Sequence, residues 1–132
     1  MPILLMLHSV LRWVIVIFAV VAGLKFLIGW VGNGAYSRID RMLAAIYSGL
    51  IDLQVLIGII FFIWTGFTGA GFPLVRWEHA IVMILAAVAA HLPMRWAGAP
   101  DRQRFRNNFL AVLASLALIY LGVALLPGGW SR

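Results

Sequence analysis

Four apolar runs, near residues 3–31, 39–67, 74–95 and 107–126, limit what this chain can fold into more than any other feature. Each reaches the roughly 20 residues that cross about 30 Å of hydrocarbon at about 1.5 Å per residue. With 64% hydrophobic and 11% charged residues, the chain has too little polar surface to coat a soluble globule. The expectation is an all-α membrane protein, one domain over 1–132, with no sheet. Its four transmembrane helices, near 3–31, 39–67, 74–95 and 101–126, form an up-down-up-down bundle. Almost all of the chain then lies in lipid, which leaves no room for a soluble catalytic module.

The net charge of +6 would suggest nucleic acid in a soluble protein, but its distribution gives a different reading. Seven of the ten basic residues (Lys25, Arg38, Arg41, Arg95, Arg102, Arg104 and Arg106) fall at the first and third connections. Arg12, Arg76 and Arg132 lie toward the other side. The positive-inside bias places the first and third loops in the cytoplasm and both termini outside, as for a bacterial inner-membrane protein. The basic loops also suit anionic lipid, and no nucleic-acid partner is expected. The first apolar run has no basic segment before it and no small-residue cleavage site, so it reads as a retained helix.

Along the chain, Gly32-Asn33-Gly34 breaks helix 1, and Lys25 is placed to snorkel to the interface near Trp30. Ser37-Arg38-Ile39-Asp40 has the form of a capping box opening helix 2. A glycine-rich connection from Thr65 to Phe72 leads to Pro73, a suitable start for helix 3, and Pro93-Met94-Arg95-Trp96 closes that helix. Helix 4 begins in the Asp101–Arg106 stretch, ends at Pro127-Gly128-Gly129, and reads as a packing element without a ligand. The six tryptophans read as interfacial belts at helix ends. No internal repeat or low-complexity tract stands out.

Two stretches carry the chemistry: Leu7-His8-Ser9-Val10-Leu11-Arg12-Trp13 in helix 1 and Arg76-Trp77-Glu78-His79 opening helix 3. Each puts a histidine about one turn inside an apolar segment beside an arginine and a tryptophan. Counted from the outer boundary, both histidines lie about 5–6 Å deep at 1.5 Å per residue. In an up-down-up-down bundle helices 1 and 3 are diagonal, so the two imidazoles face each other across the core. Bundles build cofactor sites in this way, and haem iron takes axial histidines.

The leading expectation is therefore one haem b with His8 and His79 as metal ligands and Arg12 or Arg76 pairing its propionates. Ala19 and Ala22 follow His8, and Ala86 and Ala90 follow His79, as small residues that give a macrocycle space. Another metal or porphyrin-type ligand, or two interfacial histidines bonded to backbone or headgroups, are the alternatives.

The remaining polar residues read less sharply. His91 lies 12 residues after His79, about 18 Å deeper and about 120° round the helix, which suits an interfacial histidine better than a second haem site. Asp52 and Gln54 interrupt helix 2 on opposite faces. Asp52, with Ala45 and Ser48, is either a proton or quinone handle or a partner for Arg12; Gln54 shares its face with Tyr47, Gly58 and Thr65. One bundle interior cannot satisfy both faces. The expectation is a homo-oligomer or a subunit of a larger complex, helped by Ala45 and Gly49, unless Gln54 bonds an adjacent helix. The absence of cysteine excludes thiolate sites, and the five methionines are too scattered for a copper relay. No hydrolytic triad, phosphate-binding glycine loop or paired carboxylate is present, so no catalytic residue is assigned.

The two histidine stretches, in a four-helix chain of this size, resemble small bacterial membrane proteins of cytochrome b-like type. The resemblance implies a haem-bearing, electron-transferring subunit of a respiratory or photosynthetic complex, with His8 and His79 at the ligand positions. The chain has one such pair where di-haem cytochromes b have two. A cofactor-free structural accessory subunit, or a small quinone- or metal-handling membrane protein, are the competing functions.

Overall fold

A computed structural model describes residues 2–131. Four helices form in order: α1 (Pro2–Val31), α2 (Arg38–Thr65), α3 (Leu74–His91) and α4 (Asp101–Ala124). No strand occurs among the described residues. All four helices are long and apolar enough to cross a membrane. Arg132, counted above with the outer-side charges, and Met1, counted among the methionines, lie outside the described residues.

Each helix packs on two others, α1 on α2 and α4, and α3 on α2 and α4, which leaves α1 diagonal to α3 and α2 diagonal to α4. Large apolar side chains such as Ile17, Val21, Ile28, Ile63 and Leu113 stand exposed on the outside of the bundle. That is a favourable arrangement only where the surrounding medium is hydrocarbon.

Because lipid gives no hydrophobic reward for burying leucine, helix contacts in such a bundle depend on close approach and internal hydrogen bonds. The core follows that rule. Ala19, Ala22, Ala86 and Ala90 are buried in it, and Tyr47 of α2 shares a 2.5 Å hydrogen bond with Ser115 of α4 across one diagonal. Phe18 stacks on the Tyr47 ring at 6.5 Å. The four alanines expected to leave room for a macrocycle are thus closed into helix packing.

The capping box forms: the Ser37 backbone N–H donates to Asp40 Oδ2 at 2.9 Å, and the Ser37 hydroxyl to the same oxygen at 3.0 Å. Lys25 reaches toward the first connection and finds a partner there. Its Nζ donates to Asp40 Oδ1 at 2.7 Å, because Asp40 is fully buried and a carboxylate there requires a cation. The tryptophan belt also has an exception. Trp13 lies roughly a third of the way along α1, where it meets the Trp130 ring edge-on at 5.5 Å.

Gly29 lets α1 and α4 approach. A Cβ there would lie 2.3–2.5 Å from three atoms of the Phe105 ring, which is itself buried and wedged against Tyr36. Gly29→Ala should therefore destabilise the bundle by about 1–3 kcal/mol through overpacking. A lower thermal midpoint in mild detergent is the expected reading; an unchanged midpoint would show that Phe105 can yield.

The connections agree with the expected punctuation in position, though not always in form. The glycine-rich stretch after α2 continues as a π-type turn, Gly66–Ala70, whose Gly69 and Gly71 take φ of 136° and 66°. Pro73 is the residue before α3, and α3 tightens into a 3₁₀ turn over Leu92–Trp96. α4 starts at Asp101 as expected but stops at Ala124, before Pro127. That early stop matters at the histidine end of the bundle.

Candidate functional site

The structure brings His8 and His79 together. Their ring centres are 6.4 Å apart and their planes cross at 75°, on the two diagonal helices. Neither element places its histidine alone.

His79 is oriented by α4. Its Nδ1 lies 2.7 Å from the carbonyl oxygen of Gly122. A carbonyl only accepts, so Nδ1 carries the proton and the lone pair sits on Nε2, the tautomer suited to binding a metal. The carbonyl is available because α4 ends two residues later. Leu126 N donates to Val123 O rather than to Gly122 O, leaving Gly122 among the helix-terminal acceptors without an i+4 partner. The missing side chain at Gly122 also admits Met83, whose methyl would sit 2.0 Å from a Cβ placed there. α4 thus contributes to the site, contrary to its reading as a pure packing element.

His8 is seated by α2. Gln54 Nε2 donates to the His8 carbonyl oxygen at 2.7 Å. One turn on, Gly58 lies against the imidazole, with a Cβ there only 3.1 Å from its Cε1. His8 Nδ1 is buried and accepts or donates no hydrogen bond, and neither does the buried Gln54 Oε1. These buried polar atoms are costly as they stand, and such atoms mark where a ligand or water belongs.

Of the expected residues, Arg12 and Arg76 stand at the same end but are engaged by protein groups. The Arg12 guanidinium lies 5.3 Å from the ring centres of both Trp13 and Trp130, tying the chain's last turn to α1. Arg76 clamps the turn between α2 and α3. It donates to Gly71 O, to Phe62 O at 3.1 Å and to Thr65 Oγ1 at 2.7 Å, and lies 4.8 Å over the Phe62 ring. It holds the turn one helical step before His79.

Asp52 does not meet Arg12; its partner is His91, the last residue of α3. His91 Nε2 sits 2.9 Å from both carboxylate oxygens of Asp52, joining α2 to α3 on the outside of the bundle. Gln54 takes the inward face of α2, as the adjacent-helix alternative anticipated. Sequence reasoning did not assign Gln54, Gly58 or Gly122 to the histidine site. The spacing Gln54-x-x-x-Gly58 on one face, and a glycine just inside the end of helix 4, were the available signals.

The donor set can be tested against a ligand. No group of three or more His, Cys, Asp or Glu side chains converges among the described residues, so a bare transition metal would be short of protein ligands. Haem brings four equatorial nitrogens and asks only for axial ones. An imidazole centre lies about 1.2 Å from its nitrogen and a metal–imidazole bond is about 2 Å, so two axial histidines on one iron have centres about 6.4 Å apart. The observed centre-to-centre separation has that value, while the alanines expected to flank a macrocycle are packed into the core. No family model, characterised protein or solved structure matches the chain.

Proposed function

We propose that the protein is a b-type haem-binding membrane protein that moves electrons, acting as a subunit of a redox complex of the respiratory or photosynthetic kind. One observation carries the reading: two histidines from diagonal helices meet with ring centres 6.4 Å apart, one with its tautomer set by the Gly122 carbonyl. Haem, when bound, supplies a one-electron couple. His8 and His79 would hold it. The Gly122 carbonyl keeps the His79 proton on Nδ1 and strengthens Nε2 as a donor. Gln54 and Gly58 fix the height and tilt of His8, and the apolar helices around the pair exclude water. Arg76 is the cation nearest His79 in sequence. A propionate would compete for it with neutral carbonyls, and a charge-assisted bond is the stronger of the two.

In this reading the protein sits in a bacterial inner membrane with its basic first and third loops in the cytoplasm and the haem toward the outer face. Assembly with other membrane subunits, or with further copies, completes it. The test is an absorption spectrum of the purified full-length protein after expression with adequate haem supply. A Soret band with α and β bands that sharpen on reduction is the expected result. A featureless visible spectrum would put a cofactor-free accessory subunit ahead.

A further inference from the structure

A groove of about 400 Å³ opens on the other half of the bundle, between α2 and the end of α3. It reaches from Tyr36 and Arg41 at the basic end, past the small residues Ala45 and Gly49, to the Asp52–His91 pair. A volume of this order suits one small-molecule ring.

Asp52 makes the groove unusual. It stands at the middle of α2, 14 residues from its first residue and 13 from its last, yet 53% of its side chain is exposed on the outside of the bundle. A carboxylate presented to hydrocarbon is costly unless polar groups cover it. His91 covers it in part. The unfilled remainder is the groove itself, so its occupant must bring polar atoms to Asp52 and His91 while being soluble in lipid.

The chemistry of the pair narrows the class. With Nε2–H donating to the carboxylate, His91 Nδ1 has no hydrogen bond among the described residues. As a neutral imidazole it accepts from a hydroxyl; once protonated, with Asp52 beside it, it donates to a carbonyl. A ligand oxygen that alternates between hydroxyl and carbonyl is served in both states. At the other end of the groove the Tyr36 hydroxyl accepts from Asn108 Nδ2 at 3.1 Å. Burial, together with the nearby Asp40 carboxylate, pushes its pKa above the usual tyrosine value, so it stays a donor. An anionic headgroup pushed to the depth of Asp52 would meet like charge.

We propose that this groove binds the ring of a lipid-soluble quinone or hydroquinone, with its tail in the hydrocarbon. The proposal names a substrate class for the electron-transfer reading and draws its meaning from it. Asp52 lies six residues before Gly58, the residue packed on His8, hence about 9 Å along α2 at 1.5 Å per residue. The near end of the groove and the residue packed on His8 thus stand on one helix, about 9 Å apart along its axis.

The experiment is equilibrium binding of radiolabelled decylubiquinone to the full-length protein in phosphatidylcholine nanodiscs. Wild type should bind saturably, near one per chain. Asp52→Asn and His91→Phe should each weaken binding about tenfold or more, as loss of a hydrogen bond to a charged or polar partner covered by the ligand does. Gly49→Leu supplies a second route: a Cβ at Gly49 meets no atom within 4 Å, so the new side chain fills the groove without straining the fold and should abolish binding. The proposal fails if wild type shows no saturable binding, or if Gly49→Leu binds as well as wild type. It also fails if phosphatidylglycerol displaces the quinone, which marks an anionic-headgroup site. A change in assembly size with Gly49→Leu would mark a seat for a second copy and overturn it too. Binding and the Soret band read different groups, so either can fail alone.

Discussion

His8→Ala and His79→Ala should each reduce bound haem from about one per chain to under about a tenth of that, the loss expected when one of two axial ligands is removed. Pyridine haemochrome assay against protein concentration reads this directly. Adding free imidazole to His79→Ala should restore part of the Soret intensity, because the cavity keeps the Gly122 carbonyl that oriented the native ring. Gly58→Leu should weaken haem binding without removing a ligand, since its side chain displaces the His8 imidazole. His91→Phe should leave the spectrum as in wild type, as His91 is committed to Asp52 in the other half of the bundle. Full haem retention in both His→Ala variants would remove the histidine pair from the site altogether.

The second large effect concerns folding. Asp40 is fully buried and held by Lys25 at 2.7 Å, while the Lys25 side chain keeps 43% of its exposure. Removing the cation leaves a carboxylate in a dry site, and breaking a buried pair from one side costs about 3–5 kcal/mol. Ser37 still donates two hydrogen bonds to Asp40 Oδ2, which softens the loss. Lys25→Met is expected to destabilise by about 2–3 kcal/mol, discounted from that buried-pair range for the surviving bonds. Adding Asp40→Asn should recover much of this, because a neutral amide needs no cation. Unfolding in mixed micelles by titrated dodecyl sulfate gives both numbers. Wild-type stability in Lys25→Met would show that the pair holds nothing together, and an unrecovered double variant would place the loss in packing by the lysine stem.

Much of this architecture was legible without coordinates because the bilayer leaves a chain few choices. A run of about 20 apolar residues crosses, short connections force neighbours antiparallel, and the bundle order then puts helices 1 and 3 on a diagonal. From that alone, one helical turn of depth on each helix is enough to predict that His8 and His79 meet, and the structure brings them to 6.4 Å. The Ser37–Asp40 cap and the start of α4 at Asp101 were equally local.

The partners of the polar side chains were a different matter. Helical periodicity placed Asp52 and Gln54 on opposite faces of α2, but which face turned inward depended on rotation of the whole helix, and that is set by packing. The structure turns Gln54 in to the His8 carbonyl and Asp52 out to His91, and it gives Lys25 the Asp40 carboxylate as its partner. Each of these is a contact between residues 15 or more positions apart, decided by helix rotation and stagger. The orienting bond at the site is the extreme case. A backbone carbonyl carries no sequence signature, and Gly122 offers one to His79 only because α4 stops where it does and lies where it does. Hydropathy, loop length and residue spacing were enough for four spanning helices, their order and the meeting of two histidines. Which polar atoms satisfy one another was left to helix packing, since a side chain in lipid must take whatever partner the packed helices bring within reach.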